Sequence, residues 1–398
     1  MAGTPVGVAL AGGGPLGAIY EIGALIALDE ALKGISLSDC DVYAGVSSGA
    51  FLAAGLANGL SPKELHHRFT ETEAANDPFE PEVLLRLARR EYGRRLLRLP
   101  RLVAKALSDY LEAPRSRQLF ELFQPLANAL PAGLFDSAPL AAYLKRLSEA
   151  PGRTDDFRKL RHKLFIVATA LDTAELVTFG ATGFDDVPIS RAVEASAALP
   201  GLFPPVKIGE RYFVDGALLK TLHASAVLKE GVRLLIAINP IVPYKAPTLE
   251  NQPPPPSLVE GGLVPVLSQT FRSLIYSRMK IGMERYRHEY PDADILLFEP
   301  ARDDREMFFA NVFSYSDRKR LCEHAYQQTR ADLFRRAPKL EPVLERHGMA
   351  LDMEVLKDQE RRLGGAGTTG DPLSMAIQNL ERALDKLEPL IAGAQSAA

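Results

Sequence analysis

The sequence predicts an α/β fold: a mostly parallel sheet covered by helices on both faces. Three observations carry this. Short, continuously apolar runs recur along the chain, glycine-containing turns bound them, and segments with helical periodicity lie between them. An apolar run of about four to eight residues without polar alternation fits a strand buried on both faces. Strands alternating with helices give parallel pairing, because the return path of each crossover is the helix.

Val6-Gly7-Val8-Ala9-Leu10 is the first such strand, and Gly12-Gly13-Gly14-Pro15-Leu16-Gly17 is the turn after it. A helix then carries Ile22, Leu25, Ile26 and Leu28 and ends near Gly34. Asp41-Val42-Tyr43-Ala44 leads into Gly45-Val46-Ser47-Ser48-Gly49, and Ala50 to Asn58 is helical, with small residues that allow close packing on a sheet. Residues 62–150 read as a mostly helical insertion. Leu164 to Ala170 is a strand, with Glu175 to Gly180 pairing beside it. Ile189 to Ala198 is a short helix, Arg211 to Val214 a strand ending at Asp215-Gly216, and Arg233 to Ile238 and Asp294 to Phe298 are two further strands. The segment 244–262 holds four consecutive prolines, Pro253 to Pro256, and is stiff and extended. On this reading residues 1–345 form one domain, with core motifs over 5–240. Residues 346–398 form a helical extension in which a linker, 364–372, precedes a last helix, 373–391.

Bulk composition excludes several classes. With 398 residues, 46% of them hydrophobic, the chain can bury a large core. A net charge of −3 gives no general attraction to nucleic acid. Cys40 and Cys322 fit no metal spacing and read as reduced intracellular thiols. No apolar run approaches the roughly 18 residues of a membrane span, and Met1 to Gly17 lacks a basic signal-peptide start. The expected location is the cytoplasm.

The chemistry centres on three pieces. Gly45 to Gly49 is a G-x-S-x-G pentapeptide between a strand and a helix, the context of a nucleophile elbow with Ser47 exposed at a sharp turn. The glycines remove side chains that would clash there. Gly12, Gly13 and Gly14 follow a strand, where backbone N–H groups can face a developing oxyanion. The same residues with Gly17 also satisfy the dinucleotide pattern G-x-G-x-x-G, but Asp29 and Glu30 lie too early for its acidic residue. Asp215-Gly216-Ala217 ends a strand, a position suited to a site in the sheet crevice. Asp-Gly is also a plain turn signal.

In this order, and with Ala195 to Pro205 ahead of the aspartate, the three pieces resemble the patatin-like phospholipases over roughly residues 5–240. The resemblance implies an α/β/α sandwich and a serine esterase or lipid acyl hydrolase. It implies a Ser47–Asp215 catalytic dyad that works through an acyl-enzyme, without a metal or other cofactor. Gly12, Gly13, Gly14 and Ser48 would supply the oxyanion hole, and Gly17, Gly45, Gly49 and Gly216 would be motif glycines. The chain departs from the family at Leu16, where Lys or Arg is usual, and Pro15 has no N–H to donate. Two alternatives stand beside this reading. A Ser-His-Asp hydrolase would draw on His223, His288, His324 or His347. A lipid-binding or scaffold protein would not use the serine at all.

Two further segments suggest partners. Arg86, Arg90, Arg94, Arg98, Arg101 and Lys105 recur at helical steps, with Leu85, Tyr92, Leu96, Leu99 and Val103 on another face. Such a stretch, 86–105, suits an anionic membrane surface or a solvated helix packed on the core. Leu373, Ile377, Leu380, Leu384, Leu387 and Ile391 form a heptad seam suited to self-association or to folding back.

Overall fold

A computed structural model describes residues 4–70, 86–88, 91–93, 131–247, 257–310 and 315–363. Most of the 62–150 insertion, most of the basic 86–105 stretch, the proline run, the linker and the 373–391 helix lie outside the described residues. The chain divides into two units, Met1–Leu356 and Lys357–Ala398; the second is described only over residues 357–363.

Within the first unit the strands are β1 (Val6–Leu10), β2 (Leu32–Lys33), β3 (Val42–Val46), β4 (Lys163–Ala170), β5 (Glu175–Phe179), β6 (Val206–Ile208), β7 (Arg211–Asp215), β8 (Leu234–Ile238), β9 (Asp294–Phe298) and β10 (Ala350–Leu351). The main sheet runs β6-β7-β4-β3-β1-β8-β9, with β5 also on β4; β2 and β10 form a separate pair. The pairs β9–β8, β8–β1, β1–β3 and β3–β4 are parallel. The pairs β4–β5, β4–β7 and β7–β6 are antiparallel. The sheet is thus mostly parallel, as the apolar runs imply, and changes direction at β4.

The register at β4 decides where the site lies. A strand has two edges. β5 takes one edge over Ile166 to Ala170. On the other, β3 covers Lys163 to Val167, and β7 covers Ala168 to Ala170. β3 and β7 therefore lie end to end along one edge of β4, running toward each other, and their carboxyl ends meet.

The helices are α1 (Gly14–Ala31), α2 (Ser48–Ala57), α3 (Pro62–Thr70), α4 (Ala138–Ser148), α5 (Ile189–Ser196), α6 (Ala224–Leu228), α7 (Leu263–Glu289), α8 (Arg305–Phe308), α9 (Tyr315–Arg346) and α10 (Met353–Lys357). α2 lies on β1, β3 and β4. Val227 of α6 and Met279, Met283 and Tyr286 of α7 pack with Ala9, Ala44, Leu235 and Ala237 of the sheet. α1 is buried along nearly its whole length because it is held between neighbours, among them α9. Gly23 makes the α1–α9 approach possible: a Cβ there would stand 2.5 Å from the Cys322 carbonyl oxygen and 2.9 Å from the Tyr326 nitrogen. No helix among the described residues is long and apolar enough to cross a membrane.

Gly23→Ala is expected to cost about 1–3 kcal/mol, because the new methyl meets backbone that cannot yield. Gly282→Ala in α7, where a Cβ meets nothing nearer than 3.9 Å, is expected to gain about 0.5–1 kcal/mol from helix propensity. Urea denaturation midpoints of the two variants should move in opposite directions.

Candidate active site

Ser47 sits where β3 ends and α2 begins, with φ 54° and ψ −121°. For a residue with a Cβ this costs about 1–3 kcal/mol, and only surrounding structure can hold it. Three restraints do so here. A Cβ on Gly45 would lie 2.4 Å from the Gly49 oxygen, and one on Gly49 would lie 2.5 Å from the Leu10 and Ala11 oxygens. Both positions must be glycine for α2 to turn down onto β1. The third restraint is a hydrogen bond: the Ser47 amide donates to Ser196 Oγ at 2.8 Å, and that hydroxyl donates to the Val167 carbonyl at 2.6 Å.

Asp215 is the last residue of β7 and pairs with Ala168, while Val46 pairs with Val167. The residue after Val46 is Ser47, so the register alone brings serine and aspartate together on one edge of β4. This revises the reason for expecting Asp215 in the site. It is not at the carboxyl edge of a parallel strand; β7 is antiparallel and enters from the opposite direction. Its backbone is fixed by its own N–H to the Ala198 carbonyl, 3.0 Å, and by Thr169 Oγ1 to its carbonyl, 3.3 Å. The Ala217 amide donates to Oδ1 at 2.8 Å, capping the turn Gly216–Leu218. Gly216 has no room for a side chain, since a Cβ would meet the Val167 oxygen at 2.3 Å.

Both groups are nearly enclosed, Ser47 at 7% exposure and Asp215 at 3%. Burial pushes the Asp215 carboxyl up to about 6, against the opposing pull of the Ala217 amide and a side-chain hydrogen bond with Ser47. A carboxylate there is a stronger base than a solvated one, yet stays mostly ionised at neutral pH.

The glycine turn lies against this pair. A Cβ on Gly12 would be 3.0 Å from Ser47 Cβ and 3.3 Å from Ala217 Cβ. Gly13 is extended, and Gly14 takes a left-handed φ of 62°. The amides of Gly12, Gly13, Gly14 and Ser48 have no acceptor among the described residues. The Gly17 amide is already used, donating to the Gly13 carbonyl at 3.0 Å. Unpaired N–H groups at the starts of two helices beside a serine hydroxyl make a place for an anionic oxygen. Ser48 Oγ is buried beside Gly17 and has no partner among the described residues.

The other sequence candidates are placed elsewhere. His324 bonds Asp304 at 2.8 Å and His347 bonds Asp294 at 2.8 Å. His288 is exposed on α7. His223 is buried near Thr178, and burial lowers its pKa to about 3. Among the described residues none of the four bonds Ser47 or Asp215. Asp29 accepts from the Leu37 amide and Glu30 pairs with Lys63, so the acidic pair that a dinucleotide site would need serves the far end of α1. Ser196, at the end of α5, orients the elbow amide. The signal for it was the stretch Ala195 to Pro205 ahead of the aspartate.

The chain is similar in fold to VipD from Legionella pneumophila, at 15% identity and TM-score 0.36, over 83% of this chain and 66% of VipD. It is similar to the type III effector protein ExoU, at 18% identity and TM-score 0.35, over 84% of this chain and 53% of ExoU. A third match is the ExoU–SpcU heterodimer of Pseudomonas aeruginosa, at 20% identity and TM-score 0.24, over 71% of this chain and 52% of that one. The chain thus spans between half and two thirds of these proteins' length. The sequence model of the patatin-like phospholipases matches residues 8–228, which is more than half of the chain and includes the glycine turn, the Ser47 elbow and Asp215, and the protein belongs to that family.

Proposed function

We propose that this protein is a lipid acyl hydrolase that cleaves carboxylic esters with a Ser47–Asp215 dyad. The observation that supports the reading is the register on β4, which sets the Ser47 elbow beside the buried Asp215 carboxylate and next to unpaired amides. Asp215 accepts the Ser47 proton as the hydroxyl attacks the ester carbonyl. The carbonyl oxygen becomes an oxyanion held by amides of the Gly12–Gly14 turn and of Ser48, with no donor at Pro15. Asp215 returns the proton to the leaving alcohol, and the acyl group stays on Ser47. Water, deprotonated by Asp215, attacks the acyl-enzyme; the fatty acid leaves and Ser47 regains its proton. No histidine is required, because burial has already brought the base close to the working pH.

The same reading extends to surroundings. Contact with an anionic membrane through 86–105, self-association through 373–391 and residence in the cytoplasm are part of the proposal. A metal or organic cofactor has no role in the steps above.

Ser47→Ala and Asp215→Asn are each expected to lower kcat by at least about 10³-fold on a soluble short-chain ester, the scale typical of lost nucleophile or base. A fluorophosphonate probe should label the wild type at Ser47 and leave Ser47→Ala unlabelled. A folded Asp215→Asn variant with near wild-type turnover overturns the dyad.

The raised pKa has two further consequences. Activity should rise with pH through about 6 and then level off, because the base must be ionised. Stability should respond with the opposite sign. The folded pKa lies above the unfolded one, so ionising Asp215 costs folding energy; the cost starts above about pH 4 and is complete above about pH 6. Asp215→Asn should therefore melt at a higher temperature than wild type at pH 8, by a gain of at most about 3 kcal/mol, and lose the advantage near pH 4. Thermal melts at the two pH values check this independently of any substrate.

A further inference from the structure

The face of the sheet opposite α2 carries a groove that the steps above do not use. Strand side chains alternate between faces. Ala44 packs with α6 and α7, while a Cβ on Gly45 would touch Gly49 and Ala50 of α2. α7 and the helix that starts at the serine therefore lie on opposite faces. Between α7 and residues 219–222 the groove measures about 980 Å³, counting its open mouth. Its lining includes neither Ser47, Asp215 nor the glycine turn. The α7 wall lies beyond residue 228, outside the segment that matches the family.

The body of the groove is apolar. Leu222, Met279, Met283 and Tyr286 line it as buried side chains, and Ile281, 69% exposed, stands at its rim. On α7 the lining runs from Arg278 to Tyr286, about 12 Å at the rise of a helix. Methionine is unbranched and adapts its shape to a flexible chain. Gly282 leaves the middle of this wall open, because a Cβ there would meet nothing nearer than 3.9 Å. Small-molecule sites typically measure about 300–1,000 Å³ and set a few polar groups among apolar ones, and this groove fits both criteria.

The charged groups are all of one sign. Lys220, Arg278 and Arg285 line the groove, and no acid does. Arg285 is paired with Glu289 at 3.1 Å. The acid nearest to it in sequence, Glu284, accepts from Arg287 at 2.8 Å. Lys220 and Arg278 have no carboxylate partner among the described residues. Lys220 is half-buried; its Nζ donates to Ser225 Oγ at 2.7 Å and lies 5.5 Å from the Tyr286 ring centre. Arg278 Nη1 donates to the Leu218 carbonyl at 2.9 Å. Neutral groups thus hold both cations in place, and both keep donors to spare. A half-buried cation loses hydration that neutral partners only partly replace, and an anion replaces it better.

We infer that this groove binds a single-chain amphiphile with an anionic head, a fatty-acid carboxylate, with the chain along α7 and the head at Lys220. Arg278 adds to the positive potential there. A neutral ligand would fill the apolar part and leave Lys220 without a counter-ion. The site is separate from the acyl position at Ser47 and does not rest on the esterase reading. The 219–222 wall follows directly on the turn Gly216–Leu218 that Asp215 caps, so the groove borders the segment that carries the aspartate without entering the candidate active site. Where that site releases a fatty acid, the groove is a second place for the product.

The test uses the full chain with decanoate and its uncharged counterpart 1-decanol, and reads binding by isothermal titration calorimetry. Wild type should bind decanoate more tightly than 1-decanol. Lys220→Gln should weaken decanoate about tenfold and leave 1-decanol nearly unchanged, the loss expected for a hydrogen bond between charged groups. Gly282→Leu should weaken both ligands at least about tenfold by filling the groove. That variant gains helix propensity in α7, so a melting temperature at or above that of wild type shows that the fold is kept. Wild type blocked at Ser47 with a long-chain alkyl fluorophosphonate should bind decanoate as the free protein does. Equal decanoate affinity in wild type, Lys220→Gln and Gly282→Leu overturns the groove. Binding lost on blocking Ser47 overturns it too and assigns the ligand to the candidate active site. Equal affinity of wild type for the two ligands overturns the anionic head. If the fluorophosphonate labels nothing, the esterase reading fails while the two groove variants still decide this site.

Discussion

The candidate active site depends on one meeting point: β3 and β7 run toward each other along the same edge of β4, and their ends abut between Val167 and Ala168. Everything chemical follows from that seam. It places Ser47 beside Asp215 without any loop having to bring them together. It also places both next to the turn after β1, because β1 is the other neighbour of β3. The elbow then needs only local support, and it has it. The Gly49 backbone rests on β1, and Ser196 ties the Ser47 amide to the same Val167 at which β3 stops. Strain at Ser47 is held by the β1 backbone under Gly49 and by Ser196 of α5.

The same enclosure sets the electrostatics. Asp215 is buried and its carboxylate accepts from the Ala217 amide, with no cation among the described hydrogen bonds. Desolvation therefore prevails over hydrogen bonding and its proton affinity rises. A lysine or arginine beside it would stabilise the fold and spoil the base. The positive groups are instead set on the other side of the glycine turn, at Arg272 and Arg302. Charge is thus partitioned by a few residues of backbone: a buried carboxyl on one side, cations on the other.

Much of this was legible in the sequence, for reasons that can be named. β1, β3, β4 and β8 are apolar runs because both their faces are covered, and the strict requirement for glycine at 45 and 49 leaves a pattern in any chain that builds this elbow. Asp215 was legible as a residue, though the geometry behind it was not. Apolar runs do not encode strand direction, and Phe213-Val214 looks the same read in either sense. Ser196 was missed because a hydroxyl that bonds two backbone groups leaves no periodic trace. The α1–α9 contact depends on Gly23, one glycine among many in the sequence.

The end-to-end arrangement on β4 also determines which changes of chain length the protein can survive. Inserting one residue within Lys163 to Val167 would shift Ala168 along the sheet and turn its neighbours to the opposite face. β3 and β7 would then no longer meet where Ser47 and Asp215 need them to. β4 carries neither residue of the proposed dyad, yet it acts as the ruler against which both strands that carry them are measured. In related sequences the length of this strand should stay fixed even where its residues change.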